Sequence, residues 1–151
     1  YAEKVLMNPK ADDNVKSDAQ IIIARAAIET GDEAKAKVAY AKVLAIAKGE
    51  LAAEALYYDA YFKNKEGKFE ASNAAVQKIA KNYSSYKYFG AKGLILMAKN
   101  FYGLKDSYQA TYILENVIQN FTDYPDVVSE AKTELNAIKT EEAKTNSSIT
   151  K

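Results

Sequence analysis

Two of the residue types that carry most enzyme chemistry are missing, because the chain has no His and no Cys. That removes imidazole and thiolate metal ligands, and with them every nucleophile relay in which His is the base. Twelve Tyr, five Phe and twenty-one basic residues remain, and Arg25 is the single arginine among them. A guanidinium fork takes a carboxylate through two parallel hydrogen bonds, a geometry Lys does not offer. Glu29, one helical turn beyond Arg25, gives it a surface partner on its own helix, so a ligand-reading role and a plain ion pair both stay open. Asp59 and Lys63 also stand one turn apart, but no third group with a nucleophile or oxyanion role lies near them in sequence. The expected chemistry is therefore recognition: no catalytic residue, no metal and no cofactor.

The aromatic residues are the next candidates. Tyr57, Tyr58, Tyr61 and Phe62 fall in one stretch, Tyr83, Tyr86, Tyr88 and Phe89 in a second, and Phe101, Tyr102, Tyr108 and Tyr112 in a third. Tyr57 and Tyr61 lie four residues apart, so on a helix both project from one face. Such rings either fill seams between packed helices with the phenol reaching water, or hold a ligand through rigid, low-entropy contacts. Burial of Tyr57, Tyr61 and Tyr102 favours the first; their exposure favours the second.

The elements that position these side chains follow from the rest of the chain. Its 151 residues, 48% hydrophobic and 27% charged, are one globular domain's worth. A net charge of +1 gives no field that gathers nucleic acid or an anionic membrane surface. No run of eighteen apolar residues occurs, and Arg25 breaks the stretch Ile21 to Ile28, so no membrane insertion is expected. The start, Tyr1 to Leu6, lacks the basic flank and apolar region of a signal peptide and suggests a chain trimmed from something longer. Ala, Lys and Glu abound while the only prolines are Pro9 and Pro125, a helical composition.

Self-comparison resolves repeats. Ala24, Gly31-Asp32, Ala36, Tyr40 and Val43 superimpose on Ala60, Gly67-Lys68, Ser72, Val76 and Ile79 at a shift of 36. These superimpose on Ala98, Lys105-Asp106, Ala110, Leu114 and Val117 at a further 38. Each unit reads as helix, tight turn, helix: about 17–30 and 33–48, 50–66 and 69–83, 86–103 and 107–121. Gly31 and Gly67 suit the left-handed residue that ends a helix. Lys105 stands where the third glycine is due, which suggests a slightly different turn.

This pattern resembles the tetratricopeptide repeat, a helical hairpin with small residues where its two helices touch. Those contacts correspond to Ala24, Ala60 and Ala98 in the first helices and Ala36, Ser72 and Ala110 in the second. The large second-helix residue corresponds to Tyr40, Val76 and Leu114. Gln20, Leu56 and Leu94 replace the family's early Trp, and its closing proline is present only as Pro125. Endings such as Lys81-Asn82-Tyr83 and Asn120 to Pro125 look more like repeats of bacterial envelope-assembly lipoproteins and Tol-Pal accessory proteins, so the periplasm or cell envelope is preferred to the cytoplasm. The resemblance implies an all-α, right-handed α-solenoid whose first helices line a concave groove. It places on that groove Arg25, Tyr57, Tyr61, Asn64, Lys65, Lys99 and Tyr102, together with Ile21, Ile28 and Ile95. The repeats would occupy 17–48, 50–83 and 86–121. Asp59 and Lys63 sit where the family buries apolar side chains, so either they pair with each other at the edge or the second hairpin is rotated relative to the family pattern.

Residues 1–9, with Val5 lying 38 before Val43, look like the tail of a preceding repeat, which implies further repeats upstream. Residues 126–144 carry Val127, Val128, Ala131, Leu135 and Ile138 on one stripe and suit a solvating capping helix. The domain then spans 1–144, and 145–151 is expected to be a frayed tail. Asn82 and Asn120 lie in Asn-x-Ser/Thr triplets but are one repeat apart, so a helix-ending Asn explains both without glycosylation. The expected function is a non-catalytic module that binds a peptide or partner protein within a larger scaffold. A purely architectural array, or a regulatory fragment of a larger enzyme, are its rivals.

Overall fold

The computed structural model describes Glu3, Leu6 and residues 12–150, with backbone only over 148–150. Apart from Glu3 and Leu6, the expected tail of a preceding repeat lies outside the described residues. Seven helices account for the rest: α1 Asp13–Glu29, α2 Glu33–Ile46, α3 Gly49–Lys65, α4 Phe69–Asn82, α5 Lys87–Gly103, α6 Ser107–Asn120 and α7 Pro125–Thr150. Among the described residues there is no strand.

Three of these helices begin on an acidic cap. Asp12, Asp32 and Asp106 each accept a hydrogen bond from the amide three residues on, at 2.8, 3.1 and 3.0 Å, which satisfies a donor the first turn leaves unpaired. Their ends are equally specific. Gly31 and Gly67 take φ of +77° and +76°, and the following amides, of Asp32 and Lys68, reach back to the carbonyls of Ala27 and Lys63 at 2.9 and 2.8 Å. Lys105 corrects the expectation of a different turn. It adopts φ +70°, and Asp106 N–H closes the same bond onto the Phe101 carbonyl at 2.8 Å. The backbone hydrogen bonds and the Asp106 cap hold a conformation in which a Cβ is disfavoured.

Helices adjacent in sequence pack against each other throughout, and α3 also meets α5, as α5 meets α7. The reason is visible at the six small positions: Ala24, Ala36, Ala60, Ser72, Ala98 and Ala110 are all at 0% exposure, so paired helices approach there with no side chain between them. Tyr40, Val76 and Leu114, then Val43, Ile79 and Val117, fill the layers beyond. The last helix buries Val127, Ala131, Leu135 and Ile138 against α5 and α6. It continues to Thr150, helical through the segment expected to fray beyond 144.

Candidate functional site

A hollow of about 280 Å³ opens where α1, α2, α3 and α5 converge, lined by Arg25, Ile28, Glu29, Tyr40, Glu54, Tyr57, Tyr58, Tyr88, Phe89 and Lys92. Its floor is a carboxylate. The Glu54 side chain is only 7% exposed, a costly position for a charge unless donors surround it. Arg25 supplies two of them: Nε donates to Oε2 at 3.0 Å and Nη2 to Oε1 at 2.6 Å. The Tyr40 hydroxyl supplies the third, at 2.8 Å from Oε2. Arg25 thus finds its acid 29 residues away on α3, not at Glu29. Its raised pKa follows from the Glu54 hydrogen bond first, opposed by partial burial. Tyr40 is pushed well above the ordinary phenol range, by burial first and by its bond to Glu54 second.

The walls are aromatic. Tyr40 stacks on Tyr58 with centroids 4.3 Å apart, and Tyr57 meets Tyr58 edge-on at 5.0 Å. Lys92 lies over the Tyr57 and Tyr88 rings at 5.3 and 5.9 Å from their centroids. Tyr88 donates to Asp126 at 2.8 Å, and its pKa is raised to about 12, by burial first and by that bond second.

The seven groove residues expected from sequence divide between several neighbourhoods. Arg25 and Tyr57 share the hollow. Tyr57, at 7% exposure, is part of the core, as are Ile21 and Ile95 at 4% and 1%. Tyr61 and Lys65 turn toward α2: Lys65 sits over the Tyr61 ring at 5.2 Å, and both reach Glu33, at 3.4 Å from the hydroxyl and 3.2 Å from the ammonium. Asn64 donates to Asn100 at 2.8 Å. Lys99 faces Glu134 and Glu130 of α7 at 3.4 and 4.0 Å. Tyr102 is half-buried against the C-terminal core. Asp59 and Lys63 do pair across one turn, at 2.8 Å and each about one-third exposed.

Sequence reasoning missed Glu54, Lys92 and Asn100. Asn100, fully buried, donates to Ser72 and Asn73 at 2.8 Å each, while Ser72 donates to the Ala60 carbonyl at 2.7 Å. A register signal was present for the first two: Glu54, Lys92 and Glu130 recur every 38 residues, and Lys92 and Glu130 approach to 4.0 Å. Tyr88 and Asp126, hydrogen-bonded, are also 38 apart. Equivalent positions of successive units therefore touch.

The sequence matches no protein-family model and no curated protein. Among the described residues there is no group of three or more acidic residues placed to hold a metal ion, and no helix long and apolar enough to cross a membrane.

Proposed function

We propose that the chain is a tetratricopeptide-like, right-handed α-solenoid acting as a non-catalytic binding module. Its ligand is an extended peptide, or a segment of a partner protein, seated on the face of α1, α3 and α5. The observation that carries this reading is the hollow beneath Arg25 and Lys92. Glu54 is already met by three donors, so a ligand need not satisfy it. The Arg25 side chain is 54% exposed and uses two of its five N–H groups on Glu54. The others, with the Lys92 ammonium, suit peptide carbonyls and carboxylates, while Tyr88 and Phe89 offer half-buried rings to an apolar side chain. Because each hairpin is locked between neighbours, such a surface binds without reorganisation.

An architectural reading has its own support in the burial of Tyr57 and in the hydrogen bonds that tie the aromatic face together. Tyr57 belongs to the core, so its replacement by Ala together with that of Tyr61 should lower the melting temperature under either reading. Lys92→Gln spares the core and separates them: loss of native-host partner capture in this variant supports binding, whereas no capture by the wild type supports architecture. Placement in a bacterial envelope scaffold with more repeats upstream rests on the sequence resemblance alone.

A further inference from the structure

A second hollow, of about 380 Å³, opens between α4, the start of α5 and the end of α6, on residues that do not line the first. Val76, Ile79, Tyr83, Leu94, Phe121 and Tyr124 make it apolar and aromatic, and its volume lies within the range of about 300–1,000 Å³ typical of sites that take a ligand.

Gly90 is the informative residue. It sits inside α5 with an ordinary helical backbone, and a Cβ added there would meet nothing within 4 Å. Neither φ nor a close contact requires glycine, which is among the poorest helix formers. One repeat earlier, 38 residues back, the equivalent position is Ala52, buried at 1% exposure. Packing therefore closes this register in the second unit and leaves it open in the third. Lys87 and Asp123 flank the opening, and their side chains form no ion pair or hydrogen bond with any described residue.

We propose that this pocket is a peptide-anchor site, taking one large aromatic or aliphatic side chain from a peptide with an acidic neighbour for Lys87 and a basic neighbour for Asp123. An apolar body is selected by the walls, and a pair of opposite charges by the two unpaired groups. Gly90 keeps the space clear.

The test uses capped pentapeptides of sequence Ala-Glu-Phe-Lys-Ala and Ala-Lys-Phe-Glu-Ala, with Ala-Gln-Phe-Gln-Ala and free phenylalanine as comparators. Titrations are followed through the backbone amide resonances of Gly90, Leu94 and Asp123. One charged peptide should saturate these shifts about tenfold more tightly than the neutral peptide or the free amino acid, with the advantage lost in Lys87→Gln and Asp123→Asn. Gly90→Leu should abolish binding while leaving the melting temperature unchanged or raised, which separates occlusion from misfolding. Undiminished binding to Gly90→Leu, equal affinity for the neutral peptide or free phenylalanine, or no saturable shift with either charged peptide would overturn the proposal. Since Arg25 and Lys92 lie outside this pocket, Lys92→Glu should leave the titration unaffected, so this site and the proposed groove stand or fall separately.

Discussion

Arg25 and Glu54 form a two-pronged ion pair between α1 and α3, at 2.6 and 3.0 Å, with one partner half in solvent and the other almost wholly buried. The asymmetry decides how the pair responds to mutation. Arg25→Ala leaves a buried carboxylate with Tyr40 as its remaining described donor, and should cost about 1–3 kcal/mol. Glu54→Gln, which keeps an acceptor for both neighbours, should cost less. Urea unfolding of Arg25→Ala, of Glu54→Leu and of the variant carrying both should show a double change smaller than the sum of the two singles. Strict additivity would mean that the pair contributes nothing.

Asn100 is the buried polar hub of the second and third units. Replacing it with Leu removes the donor to Ser72 and Asn73 and the acceptor for Asn64, and should lower stability by about 2 kcal/mol. Asn64→Ala, at the half-exposed end of the same chain of bonds, should cost distinctly less. Equal midpoints in chemical denaturation would assign the network no role in stability.

The turn residues give an opposed pair of expectations. Gly31→Val forces a β-branched side chain into φ +77° and should destabilise by about 1–2 kcal/mol. Lys105→Gly relieves the same conformation and should gain up to about 1 kcal/mol, less the added entropy of the unfolded chain. Thermal melts of both variants decide the matter, and a destabilised Lys105→Gly would show that the lysine side chain contributes more than its strain costs.

Alkaline titration tests the aromatic face. A phenol is neutral when protonated, and the Tyr40, Tyr57, Tyr58 and Tyr88 values are all raised, by burial first in each case. A raised folded-state value stabilises fully below the unfolded-state value of about 10 and is lost as pH climbs through the folded one. For Tyr88 that window closes at about 12. Stability should therefore fall from pH about 10 upward, with a late group of tyrosines in the tyrosinate absorbance of the folded protein. All twelve titrating together in the folded state would contradict this assignment.

The hairpins were legible in the sequence because Ala24, Ala60 and Ala98 mark helix contacts that admit nothing larger, and Gly31 and Gly67 mark the turns of the first two hairpins. Lys105 misled because a residue preference was read as a requirement, although a cap and two backbone hydrogen bonds can hold a non-glycine at positive φ. The partner of Arg25 was hidden for a different reason: Glu29 is near in sequence, whereas Glu54 becomes near only when α3 packs back onto α2 of the first hairpin. Tyr40 carried the missing signal, since a phenol at a core position of the repeat needs a buried acceptor. The resemblance places Tyr57 on the groove, and helical spacing fixes the face of a helix but not whether a neighbouring α5, with Phe89 and Lys92, covers it. The segment beyond 144 is helical despite its polar, β-branched composition. It prolongs a helix already anchored by Val127 to Ile138, where propagation needs no new nucleus.

The most direct test of the proposed binding face pans one displayed random-peptide library against the wild-type protein, the Lys92→Glu variant and the Gly90→Leu variant. Lys92→Glu reverses a charge at the hollow's rim without emptying the core; it loses the contacts with Glu130 and the two rings, so its melting temperature should fall somewhat while its helical circular dichroism at the panning temperature stays that of the wild type. Among the peptides enriched on the wild type, those that retain affinity for Gly90→Leu should carry acidic residues beside an apolar one and bind Lys92→Glu at least about tenfold more weakly. Undiminished binding of those peptides to Lys92→Glu, or no enriched peptide that survives Gly90→Leu, would contradict a binding role for the face of α1, α3 and α5.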